Sequence, residues 1–285
     1  MSLDLPELPG ERVEYRYVSG LPGVELFSAD LSRHAFGPHT HDAFAIGTVV
    51  SGAQRFHYRG SNHVADRSAL MFMNPDELHT GSAASAERWC YRFLHIEPAT
   101  LRELLGERPA SPWFAEAMVH APQDAEAMRR VIDRLWQQPD ALAAAGELSA
   151  LLDAVCRRHA RELPAIEAGF DRRRFQPVLD HLEAHLDQPQ SLDVLAALVG
   201  LSRFHFVRAF SRTFHVPPHR YLQARRLARA RQMLRAGRQA ADVAAAVGLC
   251  DQSHLNRWFL RLYGTTPGRY QQQVRPSRVA VKALV

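Results

Sequence analysis

One pattern is written twice in the C-terminal third of this chain. LAALVGLSRFHFVRAFSRTFHVPPHRY begins at Leu195, and VAAAVGLCDQSHLNRWFLRLYGTTPGRY begins at Val243. Gly200 and Leu201 recur as Gly248 and Leu249. After one inserted residue, His205, Arg208, Phe210, Arg212, Phe214, Pro218, Arg220 and Tyr221 recur as His254, Arg257, Phe259, Arg261, Tyr263, Pro267, Arg269 and Tyr270. Each copy sets a short apolar helix before a longer basic one across a Gly-Leu turn, the helix-turn-helix arrangement. A single glycine between two helices is common and says little. Ten matched positions in the most basic part of the chain point to DNA.

Local chemistry places the elements. In the first copy Ser191 is set to cap a supporting helix over 192–199, with Asp193 in its first turn. Gly200 supplies the left-handed turn, and Ser202 caps a recognition helix over 203–214. Phe206, Phe210 and Phe214, at four-residue spacing, face inward; Arg203, His205, Arg208 and Arg212 take the other faces. In the second copy Asp242 stands near the start of the first helix, Gly248 makes the turn and Asp251 caps the second helix. There Leu255, Phe259 and Leu262 face inward, and Gln252, Ser253, His254, Asn256 and Arg257 face outward. Gln, Asn and Arg at such a helix start suit purine edges in the major groove. Arg side chains and free N–H groups there suit phosphates. His205 and His254 read as partly buried supports more readily than as base contacts. Between the units, Pro218 to Arg235 forms a long helical pattern of roughly 27 Å. Such a rod suits two recognition helices about 34 Å apart, one turn of DNA.

The charge is divided unevenly. Residues 1–173 carry 18 Lys+Arg against 24 Asp+Glu, and residues 174–273 carry 14 against 6, within an overall +5. A basic module behind an acidic one fits a nucleic-acid reader governed by a second domain. Hydrophobic residues at 46% and charged residues at 23% are ordinary for a globular chain. Cys90, Cys156 and Cys250 are odd in number and widely separated, so reduced thiols in a cytoplasmic protein are expected. Glu7, Glu11, Arg12, Glu14 and Arg16 exclude an apolar signal segment, and no stretch approaches the roughly 18 apolar residues of a membrane span.

From about 11 to 97 the pattern is one of short strands. VEYRYV, VELFSA, FAIGTVV, RFHYRG, ALMFMN and RWCYRFLHI are separated by clusters such as Gly37-Pro38, Ser51-Gly52, Gly60-Ser61-Asn62 and Asn74-Pro75-Asp76, which predicts a sandwich or small barrel. Helices follow: Met128, Val131, Ile132, Leu135 and Trp136 make one amphipathic stripe, and Leu142, Ala145, Leu148, Leu152 and Val155 another. Both are expected to pack on the barrel, with a dimer seam as a further role. The expected fold is α+β in two domains. A barrel with trailing helices occupies 1–165, a linker 166–177, an all-α double helix-turn-helix domain 178–273 and a tail 274–285.

The run from about 178 to 272 resembles the DNA-binding domain of the AraC/XylS family of bacterial transcription regulators. The resemblance is strongest over VGLCDQSHLNRWFLRLYGTTPGRY. It implies base reading by Phe204, Val207 and Arg208 in the first recognition helix, with Arg203 beside them, and by Gln252, Ser253, His254 and Arg257 in the second. The apolar Phe204 and Val207 shift the first helix toward thymine methyls or toward Arg208 alone. More loosely, residues 11–97 resemble the cupin-type effector and dimerisation domain of the same family. Gly37-Pro38-His39-Thr40-His41 looks like the first cupin motif, and Asn74-Pro75-Asp76-Glu77-Leu78-His79 like the second. The glutamate of metal-binding cupins falls at Ala45 or Ile46, so no metal or other cofactor is expected, although three imidazoles can hold one. His39, His41 and His79, with Tyr91 and Phe93, are instead expected to face the lumen and hydrogen-bond a small polar effector. The bland alternative is that these histidines satisfy backbone groups at strand ends.

The sequence therefore reads as a cytoplasmic, homodimeric, non-enzymatic transcription regulator. Its expected partners are double-stranded DNA, a small-molecule effector and RNA polymerase, with activation the family's commoner outcome. The competing class, a cupin metalloenzyme fused to a DNA-binding tail, lacks the carboxylate that its metal shell needs.

Overall fold

The structure is a computed structural model that describes residues 10–18, 20–106, 112–137, 141–162 and 173–274. Residues 1–9, most of the expected linker and the expected tail beyond Val274 lie outside them.

The N-terminal domain runs β1 (Arg12–Tyr17), β2 (Val24–Leu31), β3 (Phe36–His39), β4 (Phe44–Ser51), β5 (Gln54–Tyr58), β6 (Ser61–Ala65), β7 (Ala69–Met73), β8 (His79–Ala83) and β9 (Trp89–Ile96). It continues with α1 (Pro98–Leu105), β10 (Pro112–Trp113), β11 (Met118–His120), α2 (Pro122–Trp136), α3 (Ala141–His159) and β12 (Arg161–Glu162). A six-stranded sheet in the order β1-β2-β9-β4-β7-β11 and a four-stranded sheet in the order β3-β8-β5-β6 make the barrel walls, with antiparallel pairing.

The pleat of the larger sheet sorts its side chains by period two. Val24, Leu26, Phe44, Ile46, Leu70, Phe72, Leu94 and Ile96 form one hydrophobic cluster with Met128, Ile132 and Leu135 of α2 and Leu148, Leu152 and Val155 of α3. Phe27, Ala29, Ala45, Val49, Met71, Met73, Tyr91 and Phe93 belong to the other face, inside the barrel. The same alternation turns Glu25 and His95 inward among apolar neighbours, where both are buried. The α2 stripe thus packs on the sheet. Leu148, Leu152 and Val155 of α3 join the same cluster with α3 lying mainly against α2 and α1, while the Leu142 side chain lies outside those described. Arg129 of α2 pins the contact, donating to Thr48 Oγ1 at 3.1 Å, Val49 O at 3.2 Å and Arg67 O at 2.7 Å.

Two turns expected from sequence are strands instead. Gly37-Pro38 lies within β3, and Ser61-Asn62 opens β6. Pro38 is tolerated because β3 is an edge strand and its register shifts between Phe36 and His39. Strands such as FGPH, SNHVA and HTGSA have little intrinsic β-propensity, so pairing with neighbours defines them.

The C-terminal domain comprises α4 (Gln176–Ala184), α5 (Leu192–Ala197), α6 (Arg203–Phe214), α7 (Pro218–Arg235), α8 (Ala240–Ala246), α9 (Gln252–Tyr263) and α10 (Pro267–Val274). Its two units are packed unequally. Phe175, Val178, Leu182, Leu195, Phe206, Phe210, Phe214 and Tyr221 form a core of their own around α6. The second unit has no separate core: Leu227, Leu234, Val243, Leu255, Phe259, Tyr263, Tyr270 and Val274 join the barrel interior in one cluster.

Candidate functional site

Helices α6 and α9 begin as their caps dictate. Ser202 accepts from the His205 amide at 3.4 Å and Asp251 from the His254 amide at 2.6 Å, while Gly200 and Gly248 take φ of 64° and 70° in the turns. On α6, Arg203, Phe204 and Arg208 are exposed and Val207 is half-buried; on α9, Gln252, Ser253 and Arg257 are exposed and His254 is half-buried. Phe204 is 66% exposed, an unusual position for a large apolar side chain, with the Arg208 guanidinium 5.6 Å from its ring centre. Arg203 pairs with Asp193 at 2.9 Å on the surface. His254 Nε2 accepts from the indole N–H of Trp258 at 2.7 Å, so this histidine braces its own helix. Each copy thus presents polar and basic side chains at the start of a capped helix, the arrangement that enters a major groove.

The second site is the barrel lumen. His39, His41 and His79 are all 7% exposed and converge there, lined also by Tyr91, Phe93, Phe27, Phe36 and Gln54. His39 on β3 and His79 on β8 are register partners, their ring centres 4.3 Å apart, and the His41 ring lies 5.0 Å from that of His39. His39 Nδ1 lies 2.8 Å from Gly37 O, and His79 Nδ1 lies 3.0 Å from Glu77 O. His39 and His79 thus satisfy backbone groups and face the cavity at once. Burial pushes all three well below the usual histidine range, His79 to about 4, and neighbouring imidazoles and Arg231 push His41 and His39 further the same way. All three are neutral at pH 7. The cavity at their centre is small, about 30 Å3.

Sequence reasoning missed the group that closes this lumen. Arg231, on α7, enters the barrel from the C-terminal domain and ion-pairs with Glu25 of β2. Its Nη1 lies 3.2 Å from His41 Nδ1, and its guanidinium carbon lies 5.4 to 5.7 Å from the ring centres of Tyr15, Tyr263 and Tyr270. Glu25 also accepts from Tyr270 Oη at 3.0 Å and from His95 Nδ1 at 3.2 Å. Burial alone raises the Glu25 carboxyl, but Arg231 and these donors more than reverse it, leaving it below the usual carboxylate range. Further contacts brace the same boundary: Tyr15 Oη to Tyr263 O at 3.0 Å, Gln232 to Asp42 at 2.8 Å and Arg235 to Glu97 at 2.7 Å. A signal was present, since Arg231 falls in line with Ala224, Leu227 and Leu234 on the buried stripe of α7.

Comparison with known proteins agrees with both halves. Residues 21–155 match the model of the AraC-like ligand-binding domain, and residues 195–273 match that of a helix-turn-helix domain. YbfI of Bacillus subtilis, an HTH-type transcriptional regulator, is 22% identical over 223 residues, covering 77% of this chain and 81% of YbfI. The regulatory protein SoxS of Salmonella typhimurium is 31% identical over 100 residues, 35% of this chain and 94% of SoxS. The crystal structure of ToxT from Vibrio cholerae superposes over 88% of this chain and 98% of that one with a TM-score of 0.55 at 10% identity, a likeness of fold. With a ligand-binding barrel in front and paired helix-turn-helix units behind, the chain belongs to the AraC family of transcription regulators.

Proposed function

We propose that the barrel controls how the two recognition helices engage promoter DNA, and that a small ligand bound among His39, His41 and His79 shifts that control. The observation that carries this reading is the shared core. The second unit is packed into the barrel and the first is packed on itself, so the barrel holds α9 while α7 relates it to α6. A ligand that favours release of Arg231 over its docked position redistributes the two arrangements in proportion to its differential affinity.

In this reading Gln252, Ser253 and Arg257 supply most base-edge hydrogen bonds. Arg203, Phe204, Val207 and Arg208 contribute anchoring and methyl contacts. The chain works without catalysis, as a homodimer in the cytoplasm, and acts on RNA polymerase at the promoter. No helix among the described residues is long and apolar enough to cross a membrane. Selection of binding sites from a random DNA library by the full chain tests the reading. It is expected to return a bipartite motif with half-sites about 10 bp apart. Retention governed by salt alone, with no enriched motif, would refute it.

A further inference from the structure

The hydrogen bonds around the lumen fix which histidine nitrogens are free. A carbonyl oxygen only accepts, so the Nδ1 atoms of His39 and His79, facing Gly37 O and Glu77 O, carry the protons. Their Nε2 atoms are left with bare lone pairs. His41 differs. A guanidinium only donates, so the His41 Nδ1 facing Arg231 is the acceptor and its Nε2 holds the proton. A neutral imidazole has one such lone pair, and Arg231 occupies it.

One ring nitrogen from each of the three histidines lies within 4.8 Å of the other two. We propose that His39, His41 and His79 bind a divalent first-row transition metal ion, with zinc as the reference case, in competition with Arg231 for the lone pair of His41. Binding through His41 Nδ1 displaces Arg231 directly. Binding through Nε2 moves the proton to Nδ1, where it meets the Arg231 donors head-on. Either route breaks the same hydrogen bond with no net proton gained or lost, and the charge of the ion repels the guanidinium as well.

Three observations favour an ion. The cavity of about 30 Å3 is small and, with the domains docked, has room for an ion with a water or two. Three neutral imidazoles with an open position form a known zinc shell, and imidazole suits other ions of that series too. The buried Gln54 Oε1, in the same lining, has no hydrogen-bond partner, and neither does Arg231 Nε. The first is a buried oxygen acceptor in the lining of the site; the second leaves the docked guanidinium incompletely satisfied. Only the consequence at a promoter rests on the functional reading above; the site and its competition with Arg231 stand apart from it.

The test titrates metal-free full-length chain with Zn2+ against a chromophoric chelator, and with Co2+, whose absorption bands report its ligands. One ion per chain is expected, with affinity at least tenfold weaker in His39→Gln and in His79→Gln. The double variant Glu25→Gln/Arg231→Met removes the competitor and keeps the charge balanced, and it should bind at least tenfold more tightly than wild type. Small-angle scattering of the wild-type chain should show an increased radius of gyration on adding Zn2+. Absence of stoichiometric binding, equal affinity in wild type and double variant, or binding without expansion would each overturn the proposal. If a variant does not fold, the Co2+ spectrum and the scattering of the wild-type chain still decide. Binding and expansion that leave affinity for a selected DNA site unchanged would support the metal site and refute control by the barrel.

Discussion

Arg231, on the helix that joins the two DNA-reading units, is ion-paired with Glu25 on the inner wall of the barrel, their side chains 7% and 4% exposed. Two charges buried this deeply survive only by satisfying each other, and here they belong to different domains. The pair therefore acts as a bolt between sensor and reader, and it lies one hydrogen bond away from His41.

Removing one half of the bolt should cost far more than removing both. Arg231→Met leaves the Glu25 carboxylate buried without its cation and is expected to lose about 3–5 kcal/mol. Glu25→Leu combined with Arg231→Met should recover most of that loss. Urea unfolding of the wild type, both single variants and the double variant completes the cycle. A loss in the double variant equal to the sum of the two single losses would show that the two side chains are not coupled.

The same pair makes stability depend on pH in acid. The Glu25 carboxyl lies below its usual value in the folded chain, so the unfolded chain binds the proton more readily. Its contribution is complete above the unfolded pKa of about 4.3 and is lost as pH falls through the lower folded value. Glu11, held by the amides of Ser32, Arg33 and His34, and Asp124, held by His159 and Arg158, are shifted the same way and add to the acid loss. Melting temperature measured from pH 5 to 3 should fall less steeply in Glu25→Gln than in wild type.

The turn glycines are equivalent in sequence but not in surroundings. Both have φ near +65 to +70°, so an alanine at either incurs roughly 1 kcal/mol of left-handed strain. A Cβ on Gly200 meets nothing within 4 Å, whereas one on Gly248 would lie 2.5 Å from Asp187 O, a backbone atom of the first unit. Gly248→Ala should therefore destabilise the chain well beyond Gly200→Ala. Thermal unfolding of the two variants side by side measures the difference.

On DNA, Arg257→Ala should weaken binding to a selected site by about 1–3 kcal/mol and relax base preference at one position. Arg257 is exposed at the start of α9, so the loss should come without a change in melting temperature. Electrophoretic mobility shifts against the selected site and single-base variants of it separate a base contact from a phosphate contact, which would weaken all sequences alike.

The sequence by itself determined whatever is local. The caps Ser202 and Asp251, the left-handed Gly200 and Gly248, and the phenylalanines of α6 at four-residue spacing fix both helix-turn-helix units, because each depends on residues within a turn or two of each other. The inward direction of His39 and His79 was legible from the paired motifs. The period-two alternation in VELFSA also carried Glu25, although nothing local showed what a buried carboxylate would meet. Only the tertiary structure decided that Arg231, 206 residues away, meets it. It also decided that one repeat keeps its own core while the other merges with the barrel. Two copies of one pattern part there because burial depends on the surface that each one meets, and the shared pattern does not encode that surface.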